Sequence, residues 1–150
     1  MKIFSLFLIV YLIQNNSIQY SQIMVNDVSL GDSVSILIKK VGEPDSSKFQ
    51  MNEFSNNPFK VLFYDNAKFY AENNIFTGFD IKNPTYKISS LNISVGDNVS
   101  KLENIFPDSY KKYKTNNDNF VRVRINQTDS YLLFEILNDK IIRYHIWTGW

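Results

Sequence analysis

The strongest constraint on this chain is that part of it is written twice. The segment Val28-Ser29-Leu30-Gly31-Asp32-Ser33-Val34-Ser35-Ile36-Leu37 returns 65 positions later as Ile93-Ser94-Val95-Gly96-Asp97-Asn98-Val99-Ser100-Lys101-Leu102, identical at six of ten positions. Both copies then run to a proline followed by Asp-Ser, at Pro44-Asp45-Ser46 and Pro107-Asp108-Ser109, the second copy being two residues shorter. The same offset pairs Phe69 with Phe134, Phe79 with Tyr144 and Ile81 with Ile146. A pattern that recurs at fixed spacing is the mark of a repeated supersecondary unit, so two related pieces are expected.

Each copy has a physical reading. Gly31 and Gly96 allow a sharp turn, and Asp32 and Asp97 stand where an N-cap carboxylate would accept from the orphan amides of a helix. Val34, Leu37, Ile38 and Val41 lie at helical spacing, as do Val99, Leu102 and Phe106, with Pro44 and Pro107 closing two short amphipathic helices. Period-two alternation then predicts strands over 48–54, 59–64, 67–72 and 75–81 in the first half. In the second half it predicts 110–114, 120–125, 131–137 and 141–147. Asp65-Asn66, Asn73-Asn74 and Asn138-Asp139 read as two-residue turns. The expected fold is α+β: two tandem units of a short helix plus about four antiparallel strands, in one sheet with the helices packed on one face. The corresponding division is 1–22 as a leader, 23–84 as the first unit and 85–150 as the second.

The leader rests on the order of three zones: Lys2, an unbroken apolar run from Ile3 to Ile13, and a polar exit from Gln14 to Gln22. An apolar run of about 11 residues is too short to span a bilayer, which needs roughly 20. Export to the periplasm or the extracellular space is therefore expected, with cleavage near Ser21 and no stable membrane insertion afterwards. The chain has no cysteine, which excludes an N-terminal lipid anchor on cysteine, a disulfide framework and thiol catalysis. Aromatic residues make up 15% of it, including 12 Phe and 9 Tyr, which favours a sheet-rich core over disorder. A net charge of +1 gives no basis for a nucleic-acid partner.

The Gly-led helix that ends in Gly-x-Pro and leads into antiparallel strands resembles the helix-plus-sheet unit of small outer-membrane assembly lipoproteins. Its doubling resembles the tandem layout of secreted β-lactamase-inhibitor proteins. The resemblance implies an exported, non-enzymatic, protein-binding module, inhibitor-like or envelope-associated, although the lipoprotein cysteine is absent.

Strand parity proposes where a partner would sit. Val121, Val123, Ile125, Leu132, Phe134, Ile136, Ile142, Tyr144 and Ile146 share one face, which should meet the helices. The other face then carries Arg122, Arg124, Tyr131, Glu135, Arg143, His145 and Trp147, joined in the first half by Lys60, Tyr64, Lys68, Tyr70, Glu72, Phe76 and Asp80. Tyr64, Tyr70, Arg122, Arg124, Tyr131, Arg143, His145 and Trp147 are the candidate partner-binding set, since Arg, Tyr and Trp are enriched at protein interfaces. The bland alternative is a solvated face with cross-strand charge pairs, such as Arg124 with Glu135. No catalytic, cofactor or metal set is expected: His145 is the single histidine, and no carboxylate cluster has ligand spacing. A rival reading is a carrier that holds a small apolar ligand between sheet and helices, and another is an envelope structural protein with no activity of its own.

Overall fold

The structure, a computed structural model, describes residues 17–53, 55–126 and 128–148, so the expected leader falls up to residue 16 outside the described residues. The chain begins with β1 (Ser17–Ile18), a 3-10 turn (Tyr20–Gln22), β2 (Met24–Val25), β3 (Val28–Ser29) and α1 (Val34–Val41). A meander of β4 (Ser46–Met51), β5 (Pro58–Tyr64), β6 (Ala67–Glu72) and β7 (Ile75–Ile81) follows. After it come α2 (Lys101–Ile105), α3 (Pro107–Asn116), β8 (Phe120–Ile125), β9 (Ser130–Leu137) and β10 (Lys140–Thr148).

The main sheet has eight strands in the order β1-β8-β9-β10-β7-β6-β5-β4, and β2 and β3 form a separate ribbon. It is a mixed sheet, because β1 runs parallel to β8 while every other neighbouring pair is antiparallel. The expectation of two tandem helix-plus-four-strand antiparallel units is thereby overturned. The meander after the first copy supplies four strands, the segment after the second supplies three, and the eighth place is taken by β1 from ahead of both copies.

The missing strand has a local cause. Residues 110–114 are helical, since Tyr110 and Tyr113 stand three apart, bring their rings to 5.9 Å and pack together against the core. Pro107 does not close a helix. It opens α3 at its first turn, where proline's fixed φ fits and its absent N–H costs nothing. Phe106, at φ −133° and ψ 66°, separates α2 from α3, and Asn117 in the left-handed region ends α3.

What the two copies share is a docked loop. The Gly31 N–H donates to Phe76 O at 2.8 Å, Phe76 N–H to Asp32 O at 2.8 Å, and Val34 N–H to Asn74 O at 2.9 Å. In the second copy Gly96 N–H donates to Ile141 O at 2.7 Å, Ile141 N–H to Asp97 O at 2.9 Å, and Val99 N–H to Asp139 O at 2.9 Å. Each loop thus clasps the strand that follows a tight turn, Asn73-Asn74 or Asn138-Asp139, whose residues all have positive φ. Asp32 and Asp97 do not cap helices: their carboxylates accept from Ser29 N–H at 2.9 Å and Ser94 N–H at 2.8 Å and close the loops. The cap of α1 is Ser33, whose hydroxyl accepts from Ile36 N–H. Gly31 and Gly96 sit at φ 99° and 94°, beyond the region asparagine tolerates, which explains why glycine stands in both loops.

The core lies between the sheet and the helices. Phe69, Phe76, Phe79, Phe134 and Tyr144 are fully buried and are joined by Leu37 of α1, Leu102 of α2 and Phe106. A bulge between Ile141 and Arg143 turns Ile141 into the core in place of the expected Ile142. The segment ahead of the first copy also contributes, with Ile18, Ile23 and Val25 buried in the same cluster as Val28 and Leu30 of the copy itself.

Candidate partner-binding face

The register places the outward face in transverse rows. One row crosses seven strands, from Arg122 through Leu133 and His145 to Asp80, then through Lys68 and Phe63 to Ser46. A second holds Arg124, Tyr131 and Trp147 on one side, and Gly78, Tyr70, Val61 and Lys48 on the other. A third holds Phe120, Glu135 and Arg143. Val61 and Leu133, 1% and 9% exposed, lie outside the core cluster. They are small apolar patches between the long side chains of their own rows, so this face has some packing of its own.

Seven of the eight candidate residues stand on this face, and Tyr64 does not. In β5 the inward parity belongs to Leu62 and Tyr64, because Leu62 pairs with Phe69 and Tyr64 with Ala67, both core residues. The Tyr64 hydroxyl donates to Gly42 O at 2.8 Å, and its ring meets Phe69 and Tyr86 edge-on at 5.2 and 5.9 Å. Burial first, then the Tyr86, Glu43 and Asp45 charges, push this hydroxyl up to about 12. Lys60 shares that inward parity, opposite Ala71, and Phe76 is fully buried in the core. Both therefore leave the outward set as well. The near-continuous apolar run of β5 hid its phase, since Val61 and Leu62 are both buried on opposite faces.

The remaining residues are held in place. Arg143 makes a two-pronged contact with Asp80, Nε to Oδ1 and Nη2 to Oδ2 both at 2.7 Å, and its Nη1 reaches Glu135 at 3.4 Å. The Arg143 guanidinium is therefore raised, first by the Asp80 hydrogen bonds. Burial pushes the Asp80 carboxyl up, but the Arg143 hydrogen bonds and charge, with His145 and Lys68, outweigh it and hold the group below its ordinary value. His145 is lowered, by burial first and the Arg143 charge second, so a neutral ring is favoured; its Nδ1 is buried without a hydrogen-bond partner. Arg122 pairs with Asp118 at 2.5 Å, and Arg124 reaches Thr128 O at 2.7 Å and Asp129 at 3.5 Å. The expected partner of Glu135 was Arg124; the residue that takes it is Arg143, one strand away on the other side of β9.

Two aromatic groups complete the face. Tyr131 and Trp147 lie 5.8 Å apart at 46°, with Trp147 39% exposed. Tyr70 meets Phe59 at 6.2 Å and also leans over Gly78, where an added Cβ would lie 3.6 Å from its ring. Sequence parity put Lys68 and Asp80 on this face, but which residues of the other half they stand beside depends on the β7–β10 seam, which pairs Asp80 with His145. A shallow hollow of about 290 Å³ beside Lys68, Asp80 and Lys82 adjoins the charged row.

The space between sheet and helices, where the carrier reading puts its ligand, is filled by the fully buried aromatic residues. A separate open groove of about 620 Å³ lies at the N-terminal end, with Ile18, Met24, Leu91, Ile105 and Phe106 among its walls. Among the described residues no group of three or more His, Cys, Asp and Glu could hold a metal ion, and no helix is long and apolar enough to cross a membrane.

No protein-family model and no curated protein matches the chain. Solved structures do. A cysteine-rich secretory protein from Staphylococcus aureus subsp. aureus Mu50 is similar with a TM-score of 0.55 at 11% identity, over 90% of this chain and 49% of that one. An extracellular protein containing an SCP domain from Bacillus anthracis str. Ames superposes with a TM-score of 0.42 at 9% identity, over 80% of this chain and 44% of that one. The chain thus spans about half the length of each, and the first likeness is one of fold alone. The resemblance to outer-membrane assembly lipoproteins and β-lactamase-inhibitor proteins is overturned: the fold neighbours are of another kind, and the tandem unit that suggested it is not how the chain folds.

Proposed function

We propose that the chain is an exported, non-enzymatic module that binds another protein through the outward face of its sheet. The observation that carries this reading is the Tyr131–Trp147 pair, in tilted ring contact and part-exposed in one row with Arg124. Aromatic rings and guanidinium groups offer large contact area at low entropic cost when neighbours already fix them, as Asp80 and Glu135 fix Arg143. Export is supported by the leader pattern at 1–22 and by a fold shared with a protein described as secretory. The module works outside the cytoplasmic membrane, in the periplasm or beyond the cell.

The test is a binding measurement on a purified partner, identified first by cross-linking to the exported chain. Trp147→Ala with Tyr131→Ala should weaken that partner at least tenfold while leaving the melting temperature within a few degrees. Unchanged affinity would exclude the face.

The carrier reading keeps one observation in its favour, the groove at the N-terminal end. It calls for saturable uptake of an apolar probe that Ile105→Lys abolishes.

A further inference from the structure

We infer that the export leader is removed at the Ser17–Ile18 bond or upstream of it, so that Ile18, Gln19 and the 3-10 turn Tyr20–Gln22 stay in the mature protein. This rests on the export reading above. Sequence pattern alone favours a cut near Ser21, but the residues that cut would discard are built into the fold. Ile18 is 5% exposed within the core cluster, and its carbonyl accepts from Asn126 N–H at 2.8 Å. The Tyr20 hydroxyl donates to Thr77 O at 2.9 Å, and the Tyr20 N–H donates to Asn126 Oδ1 at 3.0 Å. These contacts tie residues 18–20 to β7 and to the end of β8, 57 and 106 positions away in sequence. A cut after Ser21 would strip a buried isoleucine from the core and leave Thr77 O and Asn126 without these partners.

A cut at Ser17–Ile18 costs far less. Among the described residues it removes Ser17 and its pairing with Arg124 at the edge of the sheet, while the Ile18 side chain and carbonyl remain in place. Ser17 also supplies the small residue that leader peptidases need on the acyl side of the bond, a few positions beyond the apolar run, while Asn15 takes the place of the second small residue of an A-x-A-like site. Between Ile13 and Ser17 lie only Gln14, Asn15 and Asn16. The step is an amide hydrolysis by a membrane-bound leader peptidase of the exporting cell. Water supplies the hydroxyl of the new carboxyl group on Ser17 and a proton to the new α-amino group of Ile18.

The experiment expresses the full chain with its own leader in an exporting bacterial host and determines the intact mass of the exported form. The expected mature chain begins at Ile18 or at a residue upstream of it. With a mature chain that begins at Ile18, Ser17→Leu should shift or suppress processing; in either case Ser21→Leu should leave the cleaved bond unchanged. A mature chain beginning at Gln22 or Ile23, or processing blocked by Ser21→Leu and not by Ser17→Leu, would overturn the inference. An exported chain that keeps its leader would overturn it too. Failure of the export reading looks different, because the unprocessed mass would then be found only inside the cytoplasm.

Discussion

Arg143 grips Asp80 across the junction where β10 meets β7, with two parallel hydrogen bonds of 2.7 Å. That junction is the seam between the two halves of the sheet, and its backbone register comprises only the pairs Tyr144–Ile81 and His145–Asp80. The ion pair therefore staples the seam on the outer face, while Tyr144 meets Phe79 edge-on at 6.3 Å on the inner one.

Replacing Arg143 with alanine should destabilise the fold by about 2 kcal/mol, because a half-buried carboxylate loses two charged hydrogen bonds. Arg143→Lys should recover only part of this, since an ammonium cannot make the two-pronged contact. Urea unfolding of the three proteins checks the order wild type, then Lys, then Ala. Equal midpoints would remove the staple from the account.

Acid should weaken the fold in two stages of the same sign. The folded His145 holds its proton less tightly than an unfolded histidine with an ordinary value of 6.5, so unfolding takes up a proton as pH falls below about 6.5 and stability declines. The folded Asp80 is likewise depressed below 3.8, so its contribution is whole above about pH 4 and is lost as pH falls through the folded value. Melting temperatures followed from pH 8 to 3 should be level above 6.5 and fall below it. In His145→Asn the upper decline should be absent and the lower one kept.

The two docked loops should answer alike to one change. At Gly31 and Gly96 an added Cβ meets nothing within 4 Å, so alanine is penalised by backbone conformation alone, by about 1–2 kcal/mol at each site. Gly31→Ala and Gly96→Ala should therefore lower stability by similar amounts, roughly additively. A loss at one site only would mean that the two loops are not mechanically equivalent.

The recurrence of these loops and the turns Asn73-Asn74 and Asn138-Asp139 were legible in the sequence, but the loops' role was not, since Asp32 and Asp97 read as helix caps and instead close loops that clasp a strand. Strand parity read β8, β9 and most of β10 correctly because apolar and polar residues alternate there. It failed where periodicity was degenerate. Tyr110 and Tyr113 fit a helix face as well as a broken strand, and Val61-Leu62 gives β5 no phase, which is why Tyr64 was placed on the wrong face. The Ile141 bulge and the parallel pairing of β1 depend on long-range contacts that no local pattern encodes.

The groove offers a separate check on the carrier reading. A naphthalene-type fluorescent probe should bind weakly and without saturation if the groove is only surface relief. Saturable binding with one site per chain, lost in Ile105→Lys, would favour a ligand role over a protein-binding one.

The most direct test of the sheet face places a photo-activatable phenylalanine analogue at Tyr131, and separately at Lys111 of α3, in the exported chain. The account expects a discrete protein adduct from position 131, none from position 111, and loss of that adduct when Trp147 is replaced by alanine. Adducts of equal yield from both positions, or an adduct from 131 indifferent to Trp147, would contradict it.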